Sequence, residues 1–191
     1  MQSHDELWCS AVLESLRGYK KMIDAAIAQL SDNELHQRLT PTSNSVGVLL
    51  RHLGGNLKSR WTDFLTTDGE KPNRGRDSEF EDWTGDRASL VAFFDEGWQA
   101  FVSTIESLGP ADIEATIKIR GESHTVPDSI VRAITDLSYH VGQLVMIARL
   151  VHTAVSKDNE WRWLTIPPGQ SSQFNAKTWG TSASHRDAGK K

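Results

Sequence analysis

Apolar residues recur at steps of three and four in four stretches of the chain, which is the period of an amphipathic helix. The stretches cover residues 8–30, 46–64, 90–108 and 130–151. Each apolar stripe is too broad to remain in water, so the helices must pack against one another. The pattern predicts an all-α protein built as a four-helix bundle.

Capping residues mark the ends of these helices. Asn44 and Ser45 are both candidate N-caps of the second helix, and the third helix starts near Asp86. Asp128 lies near the expected cap of the fourth helix. A Gly-Pro dipeptide at 109–110 ends the third helix, because proline cannot continue it.

The connections between the helices also carry information. Segment 66–85 is polar, rich in glycine and charge, and too long for a tight helical turn. We expect it to cross the length of the bundle and leave the second and third helices parallel. Residues 117–126 alternate around Gly121, which predicts a short β-hairpin before the fourth helix.

An irregular C-terminal arm is expected at 161–179, where two adjacent prolines forbid a helix. Its large apolar side chains need cover from the bundle or from a partner subunit: Trp161, Trp163, Leu164, Phe174 and Trp179. We expect residues 1–180 to form a single domain and residues 181–191 to form a disordered tail.

Composition narrows the classes of function. The formal net charge is −4 and there is no basic stripe, so a nucleic-acid partner is not expected. There is no apolar stretch of membrane-spanning length and no secretory signal at the start, so we expect a cytoplasmic protein that does not bind membranes. The single cysteine, Cys9, is interpreted as a half-buried structural thiol.

One pair of side chains suggests chemistry. Asp136 and His140 are four residues apart, so they share one face of the fourth helix beside its apolar stripe. A carboxylate in an apolar setting is costly unless it is paired or binds a metal. His52, next to Leu53 on the second helix, offers a third ligand. The same spacing also arises without function, and His52 alone fits a core histidine.

Two segments resemble the signatures of the DinB/YfiT-like family: SVGVLLRHLGGNLKSRW at 45–61 and YHVGQLVMIARL at 139–150. The long second loop, the hairpin and the IPPGQSSQFN arm are similar to an uncharacterised bacterial subfamily. The resemblance implies an up-down-down-up bundle, commonly a homodimer, that binds a divalent metal through three histidines.

Carried over onto this sequence, the resemblance makes His52 and His140 metal ligands. Asp136 stands where the family has its third histidine. Two histidines and a carboxylate suit Zn, Ni, Fe or Mn, although the shorter aspartate can also leave the site weak or empty. Asn56 and Arg60, one and two turns beyond His52, are candidate substrate contacts, and both also fit ordinary positions on a helix surface.

Family members of known activity are metal-dependent enzymes of low-molecular-weight thiols, such as bacillithiol S-transferases and mycothiol-dependent isomerases. The resemblance therefore implies a transferase or isomerase acting on a small-molecule thiol or electrophile. Two alternatives stay open: a metal-dependent hydrolase with the same ligands, and a non-catalytic dimeric bundle with a vestigial site. His124 is interpreted as a solvent-facing strand residue rather than a substitute ligand, and His152 has no metal-like spacing with a partner.

Overall fold

The computed structural model describes residues 3–155 and 161–165, and this part of the chain is predominantly helical. Its helices are α1 (His4–Ile27), α2 (Asp32–His36), α3 (Val46–Trp61), α4 (Arg87–Ser107), α5 (Pro110–Ile113) and α6 (Val126–Val155), with a 3-10 helix at Asp77–Phe80. Strands β1 (Thr116–Ile119) and β2 (Glu122–Thr125) precede α6. The four long helices, α1, α3, α4 and α6, coincide with the four apolar stretches.

The structure shows which of the candidate residues cap the long helices. Ser45 caps α3, because its side chain accepts a hydrogen bond from the backbone N–H of Val48 at 3.2 Å. Asp86 caps α4 as predicted. At α6 the hydroxyl of Thr125 accepts from the backbone N–H of Asp128 at 3.2 Å. Asp128 therefore lies within the first turn, where its negative charge favours the positive end of the helix dipole.

The long helices contact one another in pairs: α3 with α4, α1 with α6, α3 with α6, and α1 with α4. The contact of α3 with α4 depends on glycine. A Cβ atom added at Gly97 would clash with the backbone of Gly54, so the two helix backbones approach more closely than larger residues would allow. The up-down-down-up order of the helices stays a prediction.

The predicted β-hairpin is confirmed, with β1 and β2 paired antiparallel. Its turn places Arg120 and Gly121 at φ 56° and 80°, the left-handed region that suits glycine. The Asp68 carboxylate accepts hydrogen bonds from the backbone N–H groups of Arg120 and Gly121, at 2.8 and 2.7 Å. This carboxylate fastens the start of segment 66–85 to the hairpin.

The beginning of the expected C-terminal arm differs from its prediction at one position. Trp161 is 9% exposed and joins the core, as expected. Trp163 was expected to be covered, but it is 44% exposed. Its ring lies against the Arg149 guanidinium, 4.4 Å from ring centroid to Cζ, and this cation–π contact needs no burial. Residues 166–179 of the arm and the tail at 181–191 lie outside the described residues.

Among the described helices the longest is α6, which has 30 residues, and polar side chains interrupt its apolar ones throughout. None of the helices that the structure describes combines the length and the apolarity needed to cross a bilayer.

Near the N-terminus, Cys9 is half-buried as expected. Burial, together with the nearby Asp5 carboxylate, raises the pKa of its thiol above the usual value. The thiol is therefore protonated at neutral pH, which does not suit a nucleophile.

Candidate metal centre

The three residues singled out in the sequence converge in space. His52 comes from α3, and Asp136 and His140 come from α6. Each can offer one ligand atom such that all three atoms lie within 4.8 Å of one another. The two imidazole rings meet edge to face, with centroids 4.9 Å apart. His140 Nε2 lies 3.7 Å from Oδ1 of Asp136.

His52 is held in one orientation by its surroundings. Its Nδ1 lies 2.9 Å from Oε2 of Glu79, and its ring stacks on Phe80 with centroids 4.6 Å apart. The side chain of His52 is 7% exposed and that of Glu79 is 6% exposed. A carboxylate can only accept, so Nδ1 carries a proton and donates it to Glu79, which leaves Nε2 as the ring nitrogen that can bind a metal. A carboxylate behind a metal-binding histidine commonly fixes the tautomer in this way.

Arg74 holds the carboxylate of Glu79 in turn. Its Nε donates to Oε1 at 2.7 Å and its Nη2 donates to Oε2 at 2.8 Å. Burial by itself raises the pKa of Glu79. The hydrogen bonds from Arg74 and His52 lower this pKa by more than burial raises it, so the net pKa lies below the usual value. Glu79 is therefore ionised at neutral pH and accepts the proton of His52 Nδ1.

His140 is oriented by Gln143, whose Oε1 lies 3.0 Å from Nδ1 of the ring. Burial lowers the pKa of His140, the charge of Asp136 raises it, and the neighbouring His52 lowers it. The net pKa lies below the usual value, so the ring is neutral at neutral pH. A neutral imidazole with Nδ1–H donated to Gln143 presents its Nε2 lone pair, the form that a metal binds.

The setting of Asp136 differs from the expectation of an apolar surrounding. Its side chain is 46% exposed, because neighbouring residues cover this part of the α6 surface only partly. Water can therefore solvate the carboxylate, so Asp136 does not need a bound cation to offset a cost of burial. Asp136 remains a candidate ligand because its carboxylate lies close to His140.

The donor set fits a divalent ion. Ligand atoms at ~2.0–2.2 Å from one ion are at most ~4.4 Å from each other. The Asp136–His140 distance of 3.7 Å is within that limit, and the outer limit of 4.8 Å needs only a small rotation of the side chains. Three protein ligands would leave coordination positions open for a substrate.

A cleft adjoins the carboxylate of Asp136, and we name it the metal-side cleft. Its volume is about 80 Å³, and its lining includes Asn56, Arg60, Trp61, Arg132 and Asp136. Both predicted substrate contacts, Asn56 and Arg60, therefore border a space next to the candidate metal ligands.

The polar side chains that line the metal-side cleft differ in how many hydrogen bonds they already make with the protein. Arg60 donates to the Gly69 carbonyl and to Glu70, both at 2.9 Å. Arg132 is exposed and makes no hydrogen bond or ion pair with another residue in the described part of the chain. The indole Nε1 of Trp61 is buried and lacks a hydrogen-bond partner there. Arg132 and Trp61 therefore both keep donors that no described residue accepts from.

Two other histidines lie elsewhere. His124 stays in β2, paired with Ile117 of β1, and does not join the candidate ligands. His152 does not join a possible metal-binding group among the described residues, but it has an acidic partner: its Nδ1 lies 3.2 Å from Oε1 of Glu34. The partners are 118 residues apart, so spacing along one helix could not reveal them.

Sequence reasoning missed Glu79, Arg74, Trp61 and Arg132 as parts of the site. Glu79 and Arg74 come from the charged segment 66–85, where nothing in their residue types distinguishes them from their neighbours. The one available signal was Phe80, a large apolar residue that must find cover and so draws its neighbour Glu79 towards the helices.

Comparison with curated proteins finds no match. A family model described as "Protein of unknown function (DUF1572)" matches residues 3–170, which include all three candidate metal ligands and both of the helices that carry them. The chain therefore belongs to the DUF1572 family.

Proposed function

We propose that this protein is a metal-dependent enzyme that binds a divalent ion through His52, Asp136 and His140. One observation carries the proposal: Nε2 of His52 is left free by the Glu79 hydrogen bond and lies in a cluster with His140 and Asp136. A histidine needed only for packing would not require a second imidazole and a carboxylate within 4.8 Å.

The proposed substrate is a low-molecular-weight thiol, and this choice comes from the resemblance to DinB-like proteins. A bound divalent ion would favour the thiolate over the thiol, whose pKa is ~8.5 in a free cysteine. The protein residues would position this substrate. Arg132 has unused donors in the metal-side cleft, and Asn56 and Trp61 border the same space.

The proposed reaction is the transfer of the thiol sulfur to a small electrophile. The sulfur forms a new bond to carbon, the leaving group departs from that carbon with the bonding electrons, and the thiol proton passes to solvent. The half-exposed carboxylate of Asp136 opens this region to water, so the proton has a path out.

The order of the long helices is proposed to be up-down-down-up, as the resemblance implies. The contacts of α3 with α4 and of α1 with α6 are compatible with it. We also propose a homodimer. In its favour, α6 exposes four large apolar side chains that a second subunit could cover: Val131, Tyr139, Met146 and Leu150. Sedimentation equilibrium of the purified protein tests the dimer directly.

The test of the activity combines metal analysis with a transfer assay. The metal content of purified protein is measured first, for the parent and for His140→Ala. The metal-loaded protein is then given cysteine and 1-chloro-2,4-dinitrobenzene, whose chloride leaves as the thioether forms. Metal-dependent thioether formation that His140→Ala lacks supports the proposal. Metal binding without thioether formation removes the transferase, and the absence of metal binding favours a non-catalytic bundle.

A further inference from the structure

A second cleft lies between α3, segment 66–85 and α4, and we name it the basic cleft. Its volume is about 540 Å³, within the ~300–1,000 Å³ usual for small-ligand sites. No candidate metal ligand lines it. The side chains that characterise its lining are four basic and two aromatic: Arg51, Lys58, Lys71, Arg74, Trp83 and Phe93.

The basic cleft has an excess of positive charge. The lining has four basic side chains and two carboxylates, Asp63 and Glu79, and Lys58 is paired with Glu96 at 2.7 Å. Lys71 donates at 2.7 Å, and Arg51 at 3.0 and 3.3 Å, to backbone carbonyl oxygens, which carry no net charge. An anion in the cleft would therefore meet two cations that no carboxylate neutralises through a salt bridge.

Arg74 contributes a buried donor that is not satisfied. Its side chain is 3% exposed, and its Nε and Nη2 are both used on Glu79. The Nη1 makes no hydrogen bond within the described residues, and the nearest acidic oxygen, Oε1 of Glu70, is 3.5 Å away. The Nη1 atom is also shielded from solvent, so an anion in the cleft is attracted by the charge of the guanidinium and reaches Nη1 only if the Arg74 side chain shifts.

Two aromatic rings complete the lining. Trp83 and Phe93 lie with centroids 5.4 Å apart, and the Arg51 guanidinium lies 5.7 Å from the Trp83 ring. Such surfaces suit the flat apolar part of a ligand, while the cations suit its charged end.

We infer that the basic cleft binds a small organic anion, with a carboxylate or phosphate towards Arg74 and Lys71 and a flat apolar body beside Trp83 and Phe93. The site is distinct from the metal-side cleft and does not depend on the proposed thiol chemistry.

The position of the basic cleft has one consequence for the candidate metal centre. Glu79 lines this cleft and also holds Nδ1 of His52. An anion that draws on the Arg74 guanidinium competes with Glu79 for it and so alters the support of His52. If the metal is bound as proposed, the anion and the metal therefore change each other's affinity by the same factor.

The test measures binding of phenyl phosphate to metal-free protein by calorimetry, with benzoate as the carboxylate and benzyl alcohol as the neutral counterpart. Metal-free protein is used so that the phosphate has no metal to bind. Lys71→Gln removes one charge from the cleft and keeps a donor. Lys118→Gln removes the same charge from an exposed position on β1 that does not line the cleft.

We expect phenyl phosphate and benzoate to bind, benzyl alcohol to bind far more weakly, and Lys71→Gln to weaken phenyl phosphate by about tenfold. Lys118→Gln should bind like the parent, and so should His140→Ala, since the metal is not involved. The inference is overturned if phenyl phosphate binds no tighter than about 1 mM. It is equally overturned if Lys71→Gln matches the parent, or if the two lysine variants weaken binding alike.

Discussion

Residues 3–155 contain two buried pairs of histidine with glutamate, and the pairs differ in what lies on the far side of the imidazole. In both pairs Nδ1 meets a carboxylate oxygen, at 2.9 Å for His52 with Glu79 and 3.2 Å for His152 with Glu34. All four side chains are between 6% and 8% exposed. By burial and by partner, the two pairs are equivalent.

The two pairs differ in the residues that surround them. Glu79 is held by Arg74, and the far side of His52 meets His140 near Asp136. The far neighbour of the other pair is an aromatic ring, since His152 packs against Trp161 with centroids 6.1 Å apart.

Glu34 also closes the N-terminus of α2 through a capping box with Ser31. Its carboxylate therefore has a structural task that Glu79 lacks. A buried His–Glu pair does not by itself indicate a metal site, and the second imidazole and the nearby carboxylate are what distinguish the two.

The largest effect expected is on metal binding when an imidazole is removed. His140→Ala should lose stoichiometric metal, because two protein ligands hold a divalent ion poorly. His152→Ala is the control, since it removes the buried histidine of the other pair and should keep the metal. Elemental analysis of both proteins after dialysis measures the difference, and equal metal contents would end the distinction between the pairs.

Substitution of Asp136 should have the next largest effect. Asp136→Asn should weaken metal binding because it removes the only charged ligand, whereas Asp136→His should restore or tighten binding as a three-histidine site. Metal titrations of both variants and the parent at one pH make the comparison. Parent-like binding by Asp136→Asn would exclude Asp136 as a ligand.

Glu79→Gln should weaken metal affinity by about 10–100-fold, the usual effect of removing a carboxylate that orients a ligating histidine. The glutamine keeps the shape but no longer fixes the tautomer of His52. Glu34→Gln makes the same change in the other pair and should leave the metal affinity unchanged. If both variants bind metal alike, the orienting role of Glu79 is wrong.

The His152–Glu34 pair should instead affect stability. Glu34→Gln should lower the free energy of unfolding by about 1–3 kcal/mol, because the buried imidazole and the α2 cap both lose their charged acceptor. Urea unfolding at pH 7 measures the loss. A variant as stable as the parent would show that this pair contributes nothing measurable to the fold.

The smallest effect concerns acid stability at Asp68. Hydrogen bonds from the backbone N–H groups of Glu70, Gly121 and Arg120 lower the pKa of Asp68 from 3.8 to about 2. A carboxyl whose pKa is lower in the folded chain stabilises it above pH 3.8, and this contribution is lost as the pH falls towards about 2. Asp68→Asn should therefore be less stable than the parent at pH 7, and the gap should narrow as the pH falls to 2. Urea unfolding at both pH values tests this, and a gap that stays constant with pH would contradict it.

Local signals explain why much of the fold could be predicted. The period of the apolar residues depends only on helix geometry, and the cap at Asp86 and the turn at Gly121 depend on residues close in sequence. The error at Trp163 arose because a large apolar residue was assumed to need burial, whereas contact with Arg149 satisfies it at the surface.

The sequence by itself determined the four long helices, the hairpin and the candidate ligands His52, Asp136 and His140, because each follows from spacing within one element or from a family-like motif. Tertiary structure alone decided which residues support them. Glu79 lies 27 residues from His52 and reaches it only when segment 66–85 folds against α3, and Arg74 contacts the same carboxylate from within that segment. Tertiary structure also decided the exposure of Asp136. A helical pattern shows which face of the helix a residue lies on, but not how far neighbouring elements cover that residue.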